Sequence, residues 1–290
     1  MQCSIPRATL LPASLIALSL VACRKSQASD NVPAADSSSA IVGANTVNVK
    51  ATEFAFEMPD TIRAGLTTFR LVDAGKQLHH AQLVRLKDGK SYADLEHALT
   101  KGGPPPAWIE FAGGPNAPRP GGGVSVETEE LEPGNYAIIC VIPGPDHEPH
   151  VMKGMMHPLT VVPAVGAAAP EPKADIVVHM SEYDYKLSRP ITAGEHRLRV
   201  EDDGTQPHEL ELVRLADGKS VVDLEKWVDS QQGPPPGEPL GGVATMEPGE
   251  QAFFSADFTP GRYALICFVP DAQDGKPHFI HGMAQEITVS

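Results

Sequence analysis

Two stretches of this 290-residue chain carry the same residues at a constant offset of 129 positions, the distance from Phe54 to Tyr183. Phe54-Ala-Phe56 answers to Tyr183-Asp-Tyr185, Ala64-Gly65 to Ala193-Gly194, Gly75 to Gly204 and His79 to His208. Leu83-Val84-Arg85-Leu86 matches Leu212-Val213-Arg214-Leu215, and Asp88-Gly89-Lys90-Ser91 matches Asp217-Gly218-Lys219-Ser220, still without a gap. Beyond the proline triplets starting at Pro104 and Pro234 the first copy carries extra residues. The copies then realign at Glu132-Pro133-Gly134 against Thr259-Pro260-Gly261 and stay aligned to Cys140 and Cys267. Register of this length marks a tandem duplication into two units of about 115 residues. We place the first unit at 47–163, an Ala/Pro linker at 164–174 and the second unit at 175–290.

Within each copy the apolar pattern has a period of two. Val47–Ala51, Thr68–Val72, Gln82–Leu86 and Tyr136–Cys140 are short runs rich in β-branched and aromatic residues, bounded by Ala-Gly, Asp-Gly and Pro-Gly pairs, and they predict strands. Ser91–Thr100 and Ser220–Asp229 differ. A Ser ahead of Asp-Leu-Glu, with Leu95, Ala98 and Leu99 or Leu224, Trp227 and Val228 at helical spacing, predicts one helix per copy. The fold class expected is all-β: two tandem Greek-key β-sandwiches, each with one short peripheral helix.

Residues 1–23 resemble a bacterial lipoprotein signal: Arg7, an apolar run from Leu10 to Val21, then Leu20-Val21-Ala22-Cys23 as lipobox. The resemblance implies that Cys3 is removed with the peptide and that Cys23 carries the lipid. Arg24 after Cys23 implies sorting to the outer membrane, facing the periplasm. Residues 24–46, Ser/Ala/Asp-rich and nearly free of large apolar side chains, are expected to be a flexible tether. The membrane is then met only through the N-terminal lipid.

Each copy also holds a His, then a Cys, a His and a Met: His79, Cys140, His150 and Met155 in the first, His208, Cys267, His278 and Met283 in the second. Imidazole, thiolate and thioether together suit soft or borderline metals, and His₂Cys with a weak Met describes electron-transfer copper sites. The competing readings are buried strand cysteines, a Cys140–Cys267 disulfide, histidines that cap loops and methionines that plug a core. His147, Met152, Met156 and His157 crowd the first copy around His150 and Met155, and His80 and His281 are further donors. Such density suits Cu(I) and makes copper storage or delivery the second hypothesis.

A strand ending in Tyr-x-x-x-Cys, a following loop with His and then Met five positions on, and a His about sixty residues upstream resemble the cupredoxin family. The likeness covers nearly all of both repeats. It implies one copper per domain, held by His79, Cys140, His150 and Met155 and by His208, Cys267, His278 and Met283. Nine residues separate Cys140 from His150 and ten separate Cys267 from His278, more than in familiar members. Those members also place an Asn after the first His to brace the ligand loop. Here His80 and Glu209 stand there, and the brace is expected to be missing.

No nucleophile elbow, phosphate loop, dinucleotide fingerprint or paired His-x-His motif is present, and the chain is expected not to be an enzyme. The Gly/Pro-rich stretch Gly113–Gly123 is expected to be a surface loop. A net charge of −14 disfavours nucleic acid and suits a basic redox or copper-exchange protein partner. The reading is an extracytoplasmic copper-binding lipoprotein in electron transfer. The alternatives are copper storage or delivery, and a metal-free sandwich that displays loops such as Trp108–Gly123.

Overall fold

The computed structural model describes residues 44–101, 103–230 and 232–290. The signal segment, Cys23 and all but the last residues of the expected tether lie outside the described residues. The first copy supplies β1 (Asn45–Thr52), β2 (Ala55–Glu57), β3 (Thr61–Arg63), β4 (Gly65–Asp73), β5 (Gln82–Leu86), α1 (Tyr92–Lys101), β6 (Ile109–Phe111), β7 (Gly123–Leu131), β8 (Gly134–Ile139) and β9 (Met156–Val162). The second supplies β10 (Ile176–Ser181), β11 (Asp184–Leu187), β12 (Gly194–Asp202), β13 (His208–Leu215), α2 (Val221–Ser230), β14 (Gly237–Met246), β15 (Gln251–Phe258), β16 (Gly261–Ile266) and β17 (Ala284–Val289). Strand therefore predominates, and β1 already begins inside the stretch read as tether. Among the described residues no helix is long and apolar enough to cross a membrane.

Alternation builds the strands. In β1, Val47, Val49 and Ala51 are buried while Thr46, Asn48 and Lys50 face solvent. The helices start where the Ser-x-x-Asp pattern predicts: the Asp94 carboxylate accepts the Ser91 N–H at 2.9 Å, the Asp94 N–H donates back to Ser91 Oγ, and Ser220 and Asp223 repeat the box.

Three sheets result. The first copy has a five-stranded sheet in the order β3-β9-β8-β5-β6, the second a four-stranded sheet in the order β14-β13-β16-β17. The third, of eight strands, is shared: β11-β10-β12-β15-β7-β4-β1-β2, with β15 and β7 antiparallel where the copies meet. One core includes Val47, Phe69, Leu71, Leu83, Ile138, Cys140 and Met155; its counterpart includes Val178, Leu198, Leu212, Phe254, Cys267 and Met283. Leu95 of α1 packs with Val84 and Ala137, and Leu224 of α2 with Val213 and Ala264.

The Gly/Pro-rich stretch is not a surface loop over its first part. Residues 113–118 are buried and run along β14 of the other copy: Gly113 N–H donates to Thr245 O at 2.9 Å, Ala244 N–H to Gly114 O at 2.8 Å, and Asn116 N–H to Gly242 O at 3.2 Å. Glycine permits the approach. A Cβ on Gly114 would lie 2.2 Å from Ala81 O, and one on Gly242 1.9 Å from Leu210 O. The reading of Trp108–Gly123 as a displayed loop is corrected on the same ground.

Candidate metal centre

The upstream histidines hang from an Asp at the end of a strand. Asp73, closing β4, accepts the Gly75 and His79 N–H groups at 3.0 Å each, and Asp202, closing β12, accepts those of Gly204 and His208 at 2.9 and 3.0 Å. Burial pushes both carboxyls up to about 7. Gly75 and Gly204 lie directly under the imidazoles: a Cβ would come within 2.7 Å of His79 Nε2 and 2.6 Å of His208 Nε2.

The remaining donors are laced together through the backbone. Cys140 follows β8 and donates its N–H to Met155 O at 3.1 Å, while Met155 N–H donates to His150 O at 3.0 Å and Val151 N–H to Cys140 O at 2.7 Å. Cys267, His278, Phe279 and Met283 repeat this at 3.0–3.1 Å. Each second His opens a single 3₁₀ turn, His150–Lys153 or His278–His281, closed by Gly154 or Gly282 in the left-handed region. The long Cys-to-His loops fold back through the bridges Pro143–Pro149 and Pro270–Pro277.

Three side chains per copy converge. His79 Nδ1 lies 3.1 Å from His150 Nδ1, which lies 3.5 Å from Cys140 Sγ; His208, His278 and Cys267 give 3.0 and 3.4 Å. Within each group the donor atoms all lie within 4.8 Å of one another. All six residues, with Met155 and Met283, are 0% exposed. The methionines share the cores of their cysteines. Both cysteines are free thiols in different cores, so the disulfide reading is set aside.

The electrostatics favour neutral donors. Burial, reinforced by the facing imidazole, pulls His79 and His208 down to about 4, and burial also lowers His150 and His278. The same desolvation pushes the Cys140 thiol up to about 12 and Cys267 higher still. Gln77 Oε1 sits 3.1 Å from His150 Nε2 and holds the proton there, which turns the Nδ1 lone pair inward. His79 Nε2 and His208 Nε2 are buried without a hydrogen-bond partner. Two inward imidazole nitrogens and one sulfur in a dry pocket fit a soft or borderline metal and are compatible with copper.

An aromatic ring closes each group. Phe54 lies 5.3 Å from the His150 ring and Tyr183 5.5 Å from the His278 ring, centroid to centroid. Both residues have φ of 65°, a conformation costly for an aromatic residue, and both occupy the same repeat position. Strain retained twice against the same ligand marks a constrained site.

The missing brace is corrected. His80 Nε2 accepts the Val141 N–H at 3.0 Å and Glu209 Oε1 accepts the Phe268 N–H at 2.9 Å, so each fastens the residue after its Cys. Burial pulls His80 down to about 4 and pushes Glu209 up to about 7. The dense His/Met cluster disperses. Met155 and Met156 belong to different cores, Met152 and His147 are exposed, and His157 Nε2 lies 2.9 Å from Asp60 Oδ1. His281 Nε2 lies 3.2 Å from Asp274 Oδ1. Asp73 and Asp202, Phe54 and Tyr183, and Gln77 are supporting residues that the motif does not name. Each answers to a repeat partner, Gln77 to Gln206, and that persistence was the available signal.

No protein-family model matches the sequence, and no curated protein matches it. By structure it is similar to auracyanin B (20% identity, covering 42% of this chain and 93% of that one, TM-score 0.27) and to a reduced auracyanin from Roseiflexus castenholzii (18%, 39% and 94%, TM-score 0.29). It is also similar to a multicopper oxidase (13%, 84% and 88%, TM-score 0.26) and to a copper-containing nitrite reductase from Thermus scotoductus SA-01 (12%, 84% and 61%, TM-score 0.23). The expectation that the chain is not an enzyme is corrected here, because these structures include enzymes beside the auracyanins.

Proposed function

We propose that this chain is a copper-binding electron-transfer protein of the bacterial cell envelope, held to the outer membrane by a lipid on Cys23. In this reading residues 47–163 and 175–290 are cupredoxin-like Greek-key sandwiches joined by 164–174. His79, Cys140, His150 and Met155 hold one copper, and His208, Cys267, His278 and Met283 hold the other. The observation that carries it is the twofold convergence of two Nδ1 atoms and one Sγ within 4.8 Å in full burial.

Copper bound there supplies a one-electron couple between its +1 and +2 states. The protein's part is to keep the donors fixed and dry. Asp73 and Asp202 anchor the upstream histidines, Gln77 turns His150 Nδ1 inward, and His80 and Glu209 fasten the segments after the cysteines. Full burial of every donor favours electron exchange over hand-off of the ion, which needs ligands that a recipient can reach. The acidic surface suits a basic redox partner.

The test is a visible spectrum of the reduced protein titrated with Cu(II), with metal content measured alongside. An intense thiolate-to-copper band at two ions per chain supports the reading. Bound Cu(I) without that band shifts it to copper storage or delivery, and absence of metal removes it.

A further inference from the structure

The two candidate metal sites meet through one buried amide. Asn116, on the stretch that runs beside β14, lies between the residues following the first ligands, His80 and Glu209, where the copies differ. His80 Nε2 accepts from Val141 N–H, so its proton sits on Nδ1, and the next residue, Ala81, donates its N–H at 3.0 Å to the carbonyl of Pro115, the residue directly before Asn116. Asn116 Nδ2 donates onward to Glu209 Oε2 at 3.4 Å, and Glu209 Oε1 accepts the Phe268 N–H at 2.9 Å. All three side chains are buried. A continuous path therefore runs from the residue after Cys140 to the residue after Cys267.

Asn116 also stays in place on its own account: its Nδ2 reaches Leu210 O at 3.5 Å, its Oδ1 accepts the Ala117 N–H at 2.9 Å, and its backbone pairs with Gly242.

We propose that the His80–Asn116–Glu209 bridge makes the two metal sites cooperative, an inference that rests on the copper-binding reading. An ion in one site orders the segment after its Cys. The bridge carries that ordering to the other segment, so the second ion meets a loop already held and binds more tightly.

Cu(I) titration of the intact chain against a chromophoric chelator tests this. The second ion is expected to bind at least about fivefold more tightly than the first after statistical correction. Asn116→Leu and, independently, Asn116→Ala are expected to abolish that preference while two ions still bind. In Cys267→Ser, where only the first site fills, Cu(I) is expected to slow hydrogen exchange at Phe268 N–H in the other copy, and Asn116→Leu to remove the effect. Two ions bound independently by the unaltered chain, or unchanged exchange at Phe268, overturn the cooperativity and leave copper binding standing. A chain that binds no Cu(I) overturns both.

Discussion

Gly75 and Gly204 show how much of the site depends on single atoms. Each lies under an imidazole whose Nε2 has no hydrogen-bond partner, and neither position has room for a methyl group. Gly75→Ala is therefore expected to displace the His79 ring and weaken metal binding in the first site about tenfold to a hundredfold, the scale seen when ligand-orienting groups are lost. A metal titration resolved by site checks it, with the direct loss falling on the first site. At this scale the converging side chains were legible because His, Cys and His persist at matching positions in both copies, where a core needs only hydrophobicity. Asp73 and Asp202 persist equally, but an Asp bonded to backbone N–H groups has no signature apart from its fold. His80 and Glu209 misled for another reason. A brace was sought by residue type, whereas the structure needs only an acceptor for the N–H after Cys, which a carboxylate or a neutral imidazole supplies equally well.

At the scale of elements, period-two alternation located four strands of the first copy and the Ser-x-x-Asp box both helices, because each is a local pattern read against its own backbone. The course of residues 113–118 was not legible, since its pairing partner β14 lies more than a hundred residues away and glycine and proline give the same signal in a turn and in a close backbone crossing. Gln82 on β5 secures that crossing. Its Nε2 donates to Gly113 O at 3.0 Å and Thr245 O at 2.9 Å, and its Oε1 accepts the Thr245 N–H at 2.9 Å. Gln82→Ala strands the Thr245 N–H and removes two bonds that tie the copies together, and it is expected to cost about 1–3 kcal/mol, read as a lower urea midpoint with unchanged slope. A larger change in slope instead would show the copies unfolding separately.

At the scale of the whole molecule, the junction carries a charge problem. Glu127 and Glu129 of β7 are buried, three of their four carboxylate oxygens lack a partner, and burial raises both well above the ordinary 4.5, with Glu127 and Glu250 adding to the effect on Glu129. The fold keeps these groups protonated while the unfolded chain ionises them. Stability is thus full below about pH 4.5 and falls as pH rises toward the folded-state values, by about 1.4 kcal/mol per pH unit for each carboxyl held. Glu129→Gln is expected to flatten that decline, raising the melting temperature above pH 7 and leaving it nearly unchanged near pH 4. Melting curves across that range decide it; equal shifts at both ends would mean that Glu129 is not held protonated.

The seam between the copies has a further consequence. In the register that aligns Cys140 with Cys267, Glu127 is the counterpart of Phe254, and these two residues face each other across β7 and β15, flanked by Thr128 opposite Phe253 and Val126 opposite Ser255. Counterpart meets counterpart, which is the signature of a self-complementary, dyad-related contact. One polypeptide thus encloses a contact of the kind that two identical subunits make across a dyad. Within that dyad the side chains differ, Glu127 opposing Phe254 and Asn116 of the first half donating to Glu209 of the second, an asymmetry that two identical subunits could not carry.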